Sequence, residues 1–349
     1  MNHKQLTFAR EFRGYSQTEL ANSIAGLSQS NLSKFEKGFG VLSEDIQKKI
    51  IKYLDFPELF FHKKINSFIE NANYRKKATV NKASILKFEN KAKIIGYLVD
   101  EFSEVIEWPE FTLSPLNVEE GFSVEYIANY TRKLLKLEKD EPVKNIFSIL
   151  ERSGIIIYEV SDDECFDGVS FITDKGYPII IVNKNFSNDR KRYTLAHELG
   201  HILMHNDNHF PISSFRDKES EANLFAAEFL MPQDAIKNSL RSLKFNDLGM
   251  LKSYWLTSMA SIVRRGKTLN CIDDNKYKYF SIEMSRNGWR KKEPIEVFID
   301  KSSCFKNAVN IFKNELNYSE VDFINFSSLP KDVLEDLFDS DKIVRLRVI

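Results

Sequence analysis

The segment His197-Glu198-Leu199-Gly200-His201 constrains this chain more than any other part of its sequence. Two histidines at this spacing lie on one face of a helix, about 6 Å apart along its axis, so their ring nitrogens can share one metal ion. The glutamate between them lies beside the metal, where a general base can take a proton from a metal-activated water. The segment therefore predicts a helix that holds Zn²⁺ through His197 and His201, with Glu198 as the catalytic base.

The residues around this motif are largely apolar, which favours a buried metal site over two solvated histidines on a surface helix. Buried paired histidines beside a carboxylate need a partner, and zinc is the simplest one. His205 continues the spacing, but it lies about 12 Å from His197 along the axis and is predicted to cap the helix or support a ligand. The apolar flanking residues are Tyr193, Leu195, Ala196, Leu199, Ile202 and Leu203.

A third ligand is expected from residues 218–223, at the start of the next predicted helix. Glu219 and Asn223 share one face of that helix, so Glu219 is the predicted ligand and Asn223 is predicted to hydrogen-bond a ligand histidine. Glu221 points to another side and is kept as the alternative ligand. Three protein ligands leave one coordination position open, which is typical of catalytic zinc rather than structural zinc.

Residues 1–61 predict an all-helical helix-turn-helix domain, because short helices are joined by a turn at Gly26. Ser16 and Glu19 have the spacing of a capping box, and Ser28 can cap the following helix. The second helix of such a pair enters the major groove, and pairs of half-sites make a homodimer plausible. The alternative is a helical module that binds protein instead of DNA. The residues predicted to contact DNA are Gln29, Ser30 and Asn31 on base edges, and Ser33, Lys34, Lys37 and Gln17 on phosphates.

The predicted fold class is α+β, in four parts. Residues 62–93 form a basic helical linker with nine Lys/Arg and two acids, and residues 94–265 form the zinc peptidase domain with a small mixed sheet. Residues 266–349 are predicted to be an α+β region, and the sequence does not indicate its function. A hairpin is predicted at 169–183, and its second strand, 178–183, is either an edge strand that binds an extended peptide or an ordinary core strand.

Composition narrows the location and the partners of the protein. The formal net charge is zero, so the chain as a whole does not attract nucleic acid or an anionic membrane. Three scattered cysteines favour a reducing compartment, and neither a signal peptide nor a membrane-spanning run of apolar residues is found. These features predict a cytoplasmic protein with no membrane partner.

Two segments carry a resemblance to a known family. R-K-R-Y-T-L-A-H-E-L-G-H-I-L-M-H (190–205) and K-E-S-E-A-N-L-F-A-A-E-F-L-M-P (218–232) resemble the motif helix and the second zinc helix of the ImmA/IrrE metallopeptidases. The resemblance implies a gluzincin-like site with His197, His201 and Glu219 as ligands and Glu198 as base. It also implies transcriptional repressors as substrates. Residues 6–38 resemble an Xre-type (Cro-like) helix-turn-helix, so a repressor-like module is fused to the peptidase.

Two functions follow from these observations. The leading hypothesis is a zinc-dependent endopeptidase with a DNA-binding domain that cleaves or controls a repressor protein. The alternative is a DNA-binding transcriptional regulator, or an element of toxin–antitoxin type, whose zinc site is structural or sensory. The open coordination position favours the enzyme.

Overall fold

The computed structural model describes residues 1–63, 82–161, 166–206 and 210–338. Its first part is helical: α1 (His3–Phe12), α2 (Gln17–Ser23), α3 (Gln29–Glu36) and α4 (Glu44–Leu54), followed by a 3₁₀ turn at Glu58–His62. Ser16 and Glu19 form the predicted capping box at α2, and the Ser28 side chain caps α3. Gly26 turns the chain between these two helices with a φ of 88°. The capping residues and the turn from which the helix-turn-helix was inferred are therefore present between α2 and α3, and the assignment of a helix-turn-helix domain stays a prediction.

The next helix, α5 (Lys82–Phe102), runs through the boundary predicted at residue 93. The end of the predicted linker and the start of the predicted peptidase domain are therefore one continuous helix. Residues 64–81, which hold most of the predicted linker, lie outside the described residues.

A three-stranded mixed sheet consists of β1 (Ile156–Val160), β2 (Gly168–Ile172) and β3 (Pro178–Asn183), with β3 in the centre. β3 runs parallel to β1 and antiparallel to β2, and all six of its residues are buried. The predicted hairpin is confirmed, but the interpretation of 178–183 as an edge strand is wrong. Hydrogen bonds to both neighbouring strands occupy the β3 backbone, so β2 is the strand of the hairpin that lies at an edge.

Most of the remaining chain is helical. Four helices lead to and form the centre of the domain: α6 (Val124–Leu134), α7 (Ile146–Arg152), α8 (Asn188–Met204) and α9 (Lys218–Leu230). Seven follow: α10 (Gln233–Arg241), α11 (Leu248–Trp255), α12 (Met259–Thr268), α13 (Asp274–Arg286), α14 (Cys304–Asn310), α15 (Glu320–Ser327) and α16 (Lys331–Phe338). None of the described helices is long and apolar enough to cross a bilayer.

The described part of the C-terminal region contains helices and an extended segment. Between residues 266 and 338 the chain forms no strand, and residues 339–349 of the predicted α+β region lie outside the described residues. The extended segment bonds to the first turns of α7 and α8 instead of a neighbouring strand. The Val297 carbonyl accepts from the Asn188 side-chain amide at 2.9 Å, and the Asp300 carboxylate accepts from the backbone N–H groups of Phe147 and Ser148 at 3.1 and 2.8 Å.

The two faces of the sheet contribute to two hydrophobic cores, because side chains alternate along each strand. Ile179 and Ile181 of β3 pack in a core with α1–α5 and the C-terminal helices α14–α16. Ile180 and Val182 pack on the other face, in a core that includes α6–α9 and α11–α13. One face of the sheet therefore packs against α8, and the other face packs in the core that contains the N-terminal helices.

Candidate metal centre

The two helices that build the site pack closely because α8 carries a glycine at their contact. A Cβ at Gly200 would lie 3.1 Å from a ring carbon of Phe225, so the Phe225 ring occupies the space that a side chain would take. Glu219 lies six positions before Phe225 on α9, about 9 Å back along the helix axis. The contact between Gly200 and Phe225 thereby helps set the N-terminal turn of α9 over the histidines of α8.

Three side chains converge at this point. The Nε2 atoms of His197 and His201 are 3.0 Å apart, and the Glu219 carboxylate oxygens lie 3.5 Å from His197 Nε2 and 3.3 Å from His201 Nε2. Ligand atoms around a tetrahedral Zn²⁺ with bonds of ~2.0–2.1 Å are separated by about 3.3 Å. The three measured separations bracket this value. Both histidines are buried, whereas the Glu219 side chain is 40% exposed and leaves the cluster open to solvent on its side.

Electrostatics favour a charged Glu219. Partial burial by itself raises the pKa of this carboxyl, but hydrogen bonds and charge from His197 and His201 outweigh burial and lower the pKa below its usual range. A carboxylate and two imidazole nitrogens form a donor set that zinc accepts. Within the described residues, this is the one group of three or more His, Cys, Asp or Glu side chains that can hold a metal ion.

A chain of side-chain contacts holds the His201 ring on the side opposite to His197 and Glu219. The Nδ1 atoms of His201 and His205 are 2.9 Å apart, and His205 Nε2 lies 2.7 Å from Glu221 Oε2. The Arg216 guanidinium donates to the same Glu221 carboxylate at 3.0 Å. Burial, followed by the neighbouring His201, lowers the pKa of His205 to about 4, so its ring is neutral at physiological pH. Glu221, the alternative ligand, therefore contacts His205 and Arg216.

Glu198 is buried but lies outside the ligand cluster. Its Oε2 accepts a hydrogen bond of 2.7 Å from the hydroxyl of Ser170 on β2. The strand approaches α8 closely because Gly168 has no side chain: a Cβ there would lie 2.5 Å from Thr194 Cγ2. Sequence reasoning missed Ser170 and Arg216, since only the folded chain brings these residues to the motif.

Residues 151–266 match the family model of the IrrE N-terminal-like domain, a family of peptidases. The matched part is about a third of the chain and runs from the end of α7 through most of α12. It contains both histidines, Glu198 and Glu219. The match supports a metallopeptidase of the ImmA/IrrE family. No curated protein and no solved structure matches the chain significantly.

Asn223 and Tyr193 lie next to the group formed by His197, His201 and Glu219. The Tyr193 hydroxyl lies 3.2 Å from the Asn223 side-chain oxygen, and the Asn223 amide donates to the Glu219 carbonyl at 2.7 Å. These contacts connect α8 to α9 beside the predicted ligands. The predicted hydrogen bond from Asn223 to a ligand histidine stays a prediction.

The residues predicted to contact DNA lie on α2 and α3, outside the part matched by the family model. Gln17 donates to Glu36 at 2.6 Å and accepts from Gln29 at 3.0 Å, so these side chains are connected at the surface. Glu36 also pairs with the buried Arg10 of α1 at 2.6 Å, which fixes α3 against α1. Gln29, Ser30, Asn31, Lys34 and Lys37 are exposed, and Gln17 and Ser33 are partly buried.

Proposed function

We propose that this protein is a zinc-dependent endopeptidase that carries a DNA-binding domain and cleaves a transcriptional repressor. The observation that carries the proposal is the convergence of His197, His201 and Glu219, with Glu198 next to them but free of the ligand set. A structural zinc site takes four protein ligands, and the described residues supply three.

The residues of the chain can divide the chemistry between them. His197, His201 and Glu219 would hold Zn²⁺, which when bound supplies a Lewis acid that polarises the scissile carbonyl and acidifies water. Glu198 accepts the proton of the attacking water and donates it to the leaving amine. Its hydrogen bond from Ser170 orients the carboxylate for both transfers. Residues of β2, the edge strand beside α8, can bind an extended substrate by strand addition.

The first experiment compares the parent protein with Glu198→Gln and with Glu120→Gln, a matched change at an exposed position outside the site. Bound zinc and cleavage of a co-expressed helix-turn-helix repressor are measured. We expect all three proteins to bind about one zinc. Removing a general base costs about 10²–10⁴-fold, so Glu198→Gln should cleave at least 100-fold more slowly while the control cleaves normally.

Two results would oppose this proposal. Zinc-loaded Glu198→Gln that cleaves as fast as the parent would show that Glu198 is not the base. A parent protein that binds no zinc would leave a DNA-binding regulator as the better description of the chain.

The DNA-binding part of the proposal is supported by the way in which the N-terminal helices dock. Arg13, directly after α1, pairs with Asp332 of α16, and α1 packs on α5. Among the described residues, these contacts leave Gln29, Ser30, Asn31, Lys34 and Lys37 exposed, and Ser33 is partly buried. The exposed side chains of α3 are therefore accessible to a duplex.

This part can be tested by selecting bound duplexes from a randomised DNA pool. We expect an enriched sequence, and Asn31→Ala should reduce discrimination at one base by about 1–3 kcal/mol. Lys34→Ala should weaken binding to all sequences and lower its salt dependence, whereas Lys48→Ala on α4 should not. Failure to enrich any sequence would favour the alternative of a protein-binding module.

A further inference from the structure

A large groove opens beside the metal centre, on the side of Tyr193 and Asn223. It encloses about 1240 Å³ between the first half of α8, α9, α12 and residues 289–297. Ser220, next to the ligand Glu219, also lines it. The groove therefore begins at residues that neighbour the ligand group in α8 and α9, although His197, His201 and Glu219 do not line it themselves.

The lining of this groove is strongly basic in a chain with no net charge. Seven Lys or Arg side chains and three acidic side chains line it. Three of the seven cations are paired with acids: Lys252 lies 2.6 Å from both Asp189 and Glu293, Arg190 pairs with Asp167, and Arg265 pairs with Glu228. What remains is a set of four exposed cations, here named the basic wall: Arg264, Arg290, Lys291 and Lys292.

The cations of the basic wall carry charge that is not compensated within the described part of the chain. None of the four has a carboxylate partner there, in contrast to the buried Arg265, which pairs with Glu228. Like charges placed next to each other along 290–292 raise the free energy of the isolated protein, and an anionic ligand relieves this repulsion.

The backbone beneath the basic wall is fixed at both ends. Before it, Trp289 stacks on Phe245 with ring centroids 5.0 Å apart. The backbone N–H of Trp289 donates to the Met284 carbonyl at 2.8 Å. After it, the Glu293 carboxylate accepts from the N–H of Met259 at 2.9 Å, at the start of α12. Lysines and arginines on a segment held in this way have a defined position, which a solvated charged loop lacks.

We propose that the basic wall binds an acidic segment of the protein substrate, close to the bond that is cut; this inference rests on the proposed peptidase function. Asp189 lines the groove about 12 Å along α8 from His197, a distance that about four residues of extended peptide span. Lys252 joins Asp189 to Glu293, the residue that follows Lys292 in the basic wall. A bound chain that passes the metal centre and continues along the groove therefore approaches the basic wall. A peptide is favoured over a nucleic acid because the groove leads to the metal ligands and Glu296 interrupts its positive charge.

The test measures binding without cleavage. The full chain with Glu198→Gln is titrated into a fluorescent peptide that carries four glutamates, and into the same peptide with four lysines, by fluorescence anisotropy at low salt. The test variant is Lys291→Glu with Lys292→Glu. The control is Lys133→Glu with Lys139→Glu, which makes the same change in charge at two exposed lysines that do not line the groove.

We expect the glutamate peptide to bind more tightly than the lysine peptide. We also expect the test variant to lose about tenfold in affinity and the control to lose less than about threefold, because distant surface charges are screened. Equal losses of affinity for the glutamate peptide in the test and control variants would overturn the proposal, because they would show that only the net charge of the protein matters. A single-stranded oligonucleotide that binds the parent more tightly than the glutamate peptide, and loses this affinity in the test variant, would overturn it in favour of nucleic acid. The binding measurement needs no cleavage. A failure of the peptidase proposal in the cleavage assay can therefore be told apart from a failure of the basic wall to bind the glutamate peptide.

Discussion

Glu219 and Glu221 stand two positions apart on α9, and this separation decides which of them meets the histidine pair. Residues two apart on a helix point in nearly opposite directions, so one face cannot present both. Glu219 lies over His197 and His201, whereas Glu221 contacts His205 and Arg216. The two carboxylates therefore have different roles, one towards the metal and one towards the residue behind a ligand.

We expect Glu219→Gln to weaken zinc binding by more than about 100-fold, since it removes a charged ligand. Glu221→Gln should weaken it by about 10–100-fold, the usual effect of removing a residue that orients a ligand. Competition with a chromogenic chelator measures both affinities, and the two variants act as matched controls for each other. A larger loss in Glu221→Gln would identify Glu221 as the ligand.

At the scale of elements, the contact between β2 and α8 determines the surroundings of Glu198, the proposed general base. Gly168 allows the strand to approach Thr194, and this approach brings the Ser170 hydroxyl to Glu198. The same strand lies at the edge of the sheet beside α8, so in the proposed function support for Glu198 and binding of an extended substrate depend on one element. The sequence left 178–183 open between an edge strand and a core strand, because a short apolar run does not reveal the order of strands in a sheet.

Gly168→Ala is expected to destabilise the protein by about 1–3 kcal/mol, because the new methyl group overlaps Thr194 Cγ2. Adding Thr194→Ser removes that methyl group and should restore much of the loss. Chemical denaturation of the parent, both single variants and the double variant measures the coupling. Strictly additive effects would show that the two residues are not in contact.

At the scale of the whole molecule, the N-terminal helices share a hydrophobic core with other parts of the chain and do not form a separate core of their own. Leu6 and Phe60 belong to the same core as α5, one face of the sheet and the C-terminal helices. The Tyr97 hydroxyl of α5 donates to the Ser327 carbonyl of α15 at 2.5 Å, and Lys91 pairs with Asp336 of α16. Unfolding of the N-terminal helices should therefore affect the sheet that supports α8.

Leu6→Ala is expected to cost about 2–5 kcal/mol, because Leu6 is fully buried. If the core is shared, heating this variant should release zinc at a lower temperature than heating the parent, in step with the loss of helical circular dichroism. A zinc-sensitive dye and circular dichroism are followed in the same scan. Zinc release at an unchanged temperature, after a separate early transition, would contradict the shared core.

Much of the candidate site was readable from local patterns. The spacing of His197, Glu198 and His201 predicted their common helix, and Ser16 and Ser28 predicted where α2 and α3 begin. These helix and cap predictions succeed because helix geometry and capping act over four residues or fewer, within the reach of a sequence pattern. Helical periodicity also favoured Glu219 over Glu221 as the third ligand, and this choice stays a prediction.

Tertiary structure alone decided the central position of β3, the hydrogen bond from Ser170 to Glu198, the contacts of Arg216 and Glu221 next to His205, and the helical packing of residues 266–338. It also brought Arg264 to the segment 290–292 to form the basic wall. Each of these depends on which distant surfaces pack together, and packing follows from the shape and volume of the whole core. The sequence by itself determined the helix that presents His197, Glu198 and His201. The strand that hydrogen-bonds Glu198 and the groove beside α8 arise from long-range packing.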